Sequence, residues 1–97
     1  MTNNRLIVLG SKRDLASFQA SNWYRRLRAR YCELLERSKG RYASQFMTET
    51  PPVRSLTKLS RRWPNLILLL DYEIDRARTK GLAKACAGKL EHWETNY

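Results

Sequence analysis

A chain of 97 residues is long enough for one small hydrophobic core, and a 42% hydrophobic content with 10% aromatics excludes disorder throughout. Nineteen Lys and Arg against nine Asp and Glu give a formal charge of +10, and thirteen of the nineteen are Arg. Such a surplus draws anions to the surface: nucleic acid, acidic protein or anionic lipid.

The longest apolar run, Leu66 to Leu70, is far short of the roughly 20 residues that span a bilayer. Met1-Thr2-Asn3-Asn4-Arg5 lacks the apolar core of an export signal, so a cytoplasmic protein without membrane contact is expected. Cys32 and Cys86 stand far apart with no CxxC or Cys/His cluster near them, which suits reduced structural thiols.

In chain order, Arg5 to Gly10 (RLIVLG) is a short apolar run closed by Gly and reads as a buried strand. Ser11 then caps a helix over about 12–20, with Asp14 reaching back in capping-box fashion and Leu15 and Phe18 as the apolar face. The period slips at Ser21-Asn22, both residue types that favour caps. Trp23, Leu27, Tyr31, Leu34 and Leu35 then resume helical spacing, which predicts a second helix over about 22–38 ended by Gly40.

Arg41 to Glu49 alternates loosely and contains Tyr, Phe and Thr, so it reads as a half-buried strand. After Pro51-Pro52, the stripe Val53/Leu56/Leu59 predicts a short helix to about Arg62, stopped by Pro64. Asn65 to Tyr72 is the clearest strand. The tail is rich in Ala, Lys and Leu, which favours a helix, yet Gly81 and Gly88 interrupt it. Ala87-Gly88 fits the turn of a hairpin between 82–86 and 89–94, and strands are preferred because a β-α-β-α-β series usually closes with another strand.

Phe46, Thr48, Pro51-Pro52, Leu56, Leu59-Ser60, Pro64, Leu66, Leu70 and Tyr72-Glu73 resemble a pattern of the YubB-like, ferredoxin-like domain family of plasmids and phages. Asn4 to Gly10 resembles that family's first strand, and Trp23-Tyr24 an aromatic pair at the start of its middle helix. The family's long insertion before that pair is nearly absent here, and Ile74 to Gly81 stands where the family has a Gly-rich connection. The length predicts a single compact α+β domain over 1–97, and the resemblance, strongest over 46–73, implies a ferredoxin-like antiparallel sheet packed by two to three helices. It implies no enzymatic chemistry.

In such a sheet Leu6–Leu9 and Leu66–Leu70 lie at the centre. Their side chains alternate and both sets are apolar, so both faces should be covered. Helices cover one. The other needs an extra helix, the C-terminal segment or a second copy, and a homodimer is expected. The central positions are Leu, Ile and Val, so the aromatic platform on which an RRM stacks bases is missing.

Nucleic acid is therefore expected on helices or loops. Arg25, Arg26, Arg28, Arg30, Arg37, Lys39 and Arg41 crowd the second helix and its exit. Arg54, Lys58, Arg61 and Arg62 lie opposite the apolar stripe of the next helix, and Arg76, Arg78, Lys80, Lys84 and Lys89 form a third cluster. Arg makes bidentate contacts to phosphate, so Arg25, Arg28, Arg54, Lys58, Arg61 and Arg62 are the expected phosphate contacts of a non-catalytic nucleic-acid-binding protein. The alternative is a protein–protein module, an inhibitor or adaptor docking on an acidic partner.

Catalysis has little support. His92 is the sole histidine, with no second ligand at metal spacing, and reads as an exposed or edge-strand residue; no cofactor or metal is expected. Asp71, Glu73 and Asp75 alternate at strand spacing and are better read as partners of basic side chains than as a metal or acid–base site.

Overall fold

The two most apolar runs of the chain pair with each other. In the computed structural model, which describes all 97 residues, strands β1 (Thr2–Leu9) and β4 (Ile67–Ile74) lie antiparallel, Leu6 opposite Leu70 and Val8 opposite Leu68. Around them β2 (Arg30–Ser38), β3 (Arg41–Thr48), β5 (Thr79–Cys86) and β6 (Lys89–Asn96) complete a six-stranded sheet in the order β2-β3-β1-β4-β5-β6, antiparallel throughout. Helices α1 (Lys12–Gln19), α2 (Trp23–Arg26) and α3 (Val53–Arg62) complete an α+β domain. No helix is long and apolar enough to cross a membrane.

All three helices lie on one face of the sheet. Leu6 and Val8 of β1, Phe46 of β3 and Leu68, Leu70 and Tyr72 of β4 meet Leu15 and Phe18 of α1, Trp23 of α2 and Leu56 and Leu59 of α3 in a single cluster. Phe18 is its hub. Its ring stacks on Trp23 at 5.7 Å and meets Tyr42 and Trp63 edge-on. Such pairs contribute about 0.5–1.5 kcal/mol each beyond the area they bury. The expected cap of α1 is present, with the Ser11 hydroxyl accepting from the Asp14 N–H at 3.1 Å and donating to the Asp14 carboxylate at 3.0 Å.

The opposite face has no helix. Ile7, Leu9, Ile67 and Leu69 are only half-buried there, while Leu82 and Trp93 on the hairpin are 47% and 55% exposed. The C-terminal segment widens the sheet rather than covering this face.

The second helix is corrected by the structure. Only one turn, α2, forms, and the remainder of the expected 22–38 helix is edge strand β2. Arg28 and Tyr31 adopt φ of +55° and +56°, the left-handed region that ends a helix, and the chain turns back to pair with β3. Gly40, at φ +81°, serves the β2–β3 turn instead of ending a helix. Tyr31, Leu34 and Leu35, which mimic a helical stripe, are exposed. Pairing with β3 satisfies this segment's backbone where a helix would have had no uncovered core to bury its stripe against.

The tail hairpin forms, with Ala87 and Gly88 both left-handed at φ +49° and +82°, the conformation of a two-residue type I′ connection. Tyr72 stands directly opposite Gly81, and its ring crosses the space a side chain there would fill: a Cβ on Gly81 would lie 1.9 Å from Tyr72 Cζ. An aromatic laid over a cross-strand glycine fixes register. Gly81→Ala is expected to cost about 1–3 kcal/mol by overpacking. Most of that cost should vanish in a Tyr72→Val background, as a double-mutant cycle by urea denaturation would measure.

Candidate anion-binding site

Helix α3 buries Leu56, Leu59 and Ser60 and presents Arg54, Lys58, Arg61 and Arg62 to solvent. The i, i+4, i+7 spacing of Arg54, Lys58 and Arg61 makes these one stripe. The helix is braced from the hairpin: Ser60 donates its hydroxyl to the Thr57 carbonyl at 2.6 Å and accepts the Gly88 N–H at 2.9 Å.

Two depressions run along this helix. One, of about 370 Å³, is lined by Arg28, Arg30 and Arg54 with Thr48, Thr50, Pro52 and Ser55. The other, of about 460 Å³, is lined by Arg26, Arg28, Lys58, Arg61 and Arg62 with Ser55 and Leu59. Both include Arg28 and Ser55, so they adjoin along a groove between the α2–β2 segment and α3. Its only carboxylate is Glu49. The start of α3 opens into it, and because Pro52 supplies no side-chain cap, that positive helix end adds to the field.

No cation of the groove forms an ion pair. The four ion pairs, Arg5–Asp71 at 2.7 Å, Arg41–Glu36 at 3.0 Å, and Lys80–Glu73 and Lys84–Glu91 at 4.0 Å, all belong by strand register to the helix-free sheet face. Charge is thus largely segregated, with the ion pairs on one side of the sheet and the groove's unpaired Arg and Lys on the other; Lys89, opposite Cys86, is an unpaired cation on the helix-free face.

Of the expected phosphate contacts, Arg28, Arg54, Lys58, Arg61 and Arg62 line the groove and Arg25 does not. Arg26 and Arg30 line it and were not among those expected. A continuous helix would have put Arg25 and Arg28 on one face; the left-handed turn at Arg28 re-aims the segment instead. The remaining cations of the first basic cluster, Arg37, Lys39 and Arg41, lie along β2 and its turn.

A second groove, of about 400 Å³, separates α3 from β6 and is lined by Arg54, Lys58, Arg61, Thr57, Leu90 and His92. His92 is on the edge strand, its Nε2 2.6 Å from the Tyr72 hydroxyl, which also donates to Glu94 at 2.9 Å.

The three alternating carboxylates separate. Asp71 is held by Arg5, Glu73 accepts from the Tyr97 hydroxyl at 2.7 Å, and Asp75 lies past the end of β4. No three His, Cys, Asp or Glu side chains converge as metal ligands. Cys32 and Cys86 are unpaired, and burial pushes the Cys32 thiol up, away from a reactive thiolate.

Against protein-family models, curated proteins and solved structures, the chain finds no match.

Burial, and then the hydrogen bond to Glu94, push the Tyr72 hydroxyl up to about 12 from the usual 10.0. Below pH 10 it is protonated in both folded and unfolded chains, and its contribution is fully present. Between pH 10 and 12 the unfolded chain loses the proton first, so stability falls as pH rises. Urea midpoints measured across this window should fall more steeply for the wild type than for Tyr72→Phe.

Proposed function

We propose that this protein is a non-catalytic nucleic-acid-binding protein that grips phosphates along the groove between the α2–β2 segment and α3. The observation that carries this reading is the unpaired state of Arg26, Arg28, Arg30, Arg54, Lys58, Arg61 and Arg62 around one channel, while every ion pair lies on the opposite face. Guanidinium groups suit phosphate oxygens in paired hydrogen bonds, and a groove rich in them follows a backbone without reading bases. The central strands present aliphatic side chains on the helix-free face, which gives bases no stacking platform there and favours the helical side.

The fold belongs to the same reading. Strands β1 to β4, in the order β2-β3-β1-β4 with helices after β1 and β3, have the connectivity of a ferredoxin-like core, to which β5 and β6 add a hairpin at the β4 edge. This supports the kinship with YubB-like domains implied by residues 46–73, and with it a cytoplasmic accessory role of plasmid or phage type.

The test is a salt series with nuclease-treated protein and labelled single- and double-stranded DNA and RNA. Affinity should fall steeply with salt, at a slope of about −0.9 per duplex phosphate contact. Arg54→Glu with Lys58→Glu should weaken binding by about 100-fold at low salt and flatten the slope. Lys39→Glu with Arg76→Glu, an equal charge change outside the groove, should cost less than about tenfold. Equal losses in the two variants would reduce the effect to net charge, and negligible binding at low salt would reassign the groove to an acidic protein partner.

A further inference from the structure

The helix-free face of the sheet carries an apolar centre formed by Ile7, Leu9, Ile67 and Leu69, all half-buried, with Leu82 and Trp93 exposed beside it. We propose that this face is the interface between two copies of the chain, packed sheet against sheet. The proposal concerns the opposite side of the molecule from the groove and stands without the nucleic-acid reading.

Charge selects the occupant. A chain of formal charge +10 repels its own copies, most strongly through the unpaired cations of the helical side. On the helix-free face the four ion pairs cancel eight charges around the apolar centre. By register Glu33 and Lys89 add one unpaired charge of each sign on the outer strands of this face, so two copies meet there with far less opposing charge than on the helical side. Neither nucleic acid nor an acidic protein gains much from a surface whose central charges are already neutralised in pairs.

Size agrees. Five strand spacings of about 4.8 Å and eight residues at about 3.3 Å each give a face of roughly 24 by 26 Å. Two such faces in contact remove on the order of 1,200 Å² from water, the lower limit for a specific and stable interface. Facing sheets pack about 10 Å apart with their strands inclined by about 30°, so aliphatic side chains at the centre of both sheets interdigitate. A two-fold axis makes such a contact self-complementary and leaves no further copy of the face free to propagate a chain.

The experiment is sedimentation equilibrium on nuclease-treated protein from about 1 to 100 μM, a range that brackets a dissociation constant typical of a small interface. The wild type should sediment at twice the chain mass at the upper end. Leu69→Arg, which places an unpaired charge at the centre of the face, should raise the dissociation constant at least about 100-fold, with an unchanged far-ultraviolet dichroism spectrum establishing that it is folded. Thr95→Arg, on the same face but on the edge strand, is the milder second variant and should weaken the dimer about tenfold without touching the core. Arg54→Glu with Lys58→Glu should leave the dimer intact. A wild-type monomer throughout the range, or a dimer lost with the α3 reversals and kept with the two sheet-face variants, overturns the proposal.

Discussion

The architecture turns on the placement of every helix on one face of one sheet. Each helix is amphipathic and short, and none is stable without burying its apolar face. The Phe18-centred cluster supplies that burial for α1, α2 and α3 together. Having committed all its helices to one side, the chain has nothing left to cover the other. The two faces of the sheet then acquire different chemistry: cations projecting outward from helices on one, and cross-strand ion pairs flanking aliphatic residues on the other.

The hairpin β5–β6 is the second determinant of the site, because it fixes α3 from below. Its turn donates the Gly88 N–H to Ser60 of α3, and the Arg61 stem lies against Gly88, where an added Cβ would sit 2.7 Å from Arg61 Cγ. Its far end is fastened by Tyr72, whose ring covers Gly81 and whose hydroxyl holds His92 and Glu94. Strand β6 is exposed along its whole length and pairs on one side only, so these contacts, with the ladder to β5, keep it in register. Arg61 therefore owes its position to the tail as well as to its own helix.

Where a segment's own pattern agreed with its tertiary environment, the sequence was legible. RLIVLG and the Leu66–Leu70 run lie side by side at the centre of the sheet as expected, α3 spans 53–62 between Pro52 and Trp63, and Ala87-Gly88 makes the hairpin turn. Helical spacing over Leu27, Tyr31, Leu34 and Leu35 misled because only Leu27 reaches the core; Tyr31, Leu34 and Leu35 are exposed, and their strand is chosen by backbone pairing with β3, which runs from Ser38–Arg41 at the turn out to Arg30–Met47. The same error redistributed the arginines. On α3, where the helix was read correctly, all of the expected contacts line the groove; around α2, where it was not, Arg25 is lost and Arg26 and Arg30 are gained. Groove-lining residues were legible to the extent that their element was.

The segregation of charge also constrains what an assembly of this protein can do. Exposed ion pairs contribute little to stability individually, about 0–1 kcal/mol. Their larger effect is to remove self-repulsion from one surface while leaving it on the other. Two copies joined at the helix-free face would carry their grooves on opposite outer sides, pointing away from each other. One short strand of nucleic acid cannot then occupy both grooves at once, so the dimer gains no avidity on a single short ligand. Such a dimer, with nucleic acid in the proposed grooves, would instead hold two segments, or two turns of one long molecule, a fixed distance apart. Bridging rather than tighter gripping is what the two proposals, taken together, entail.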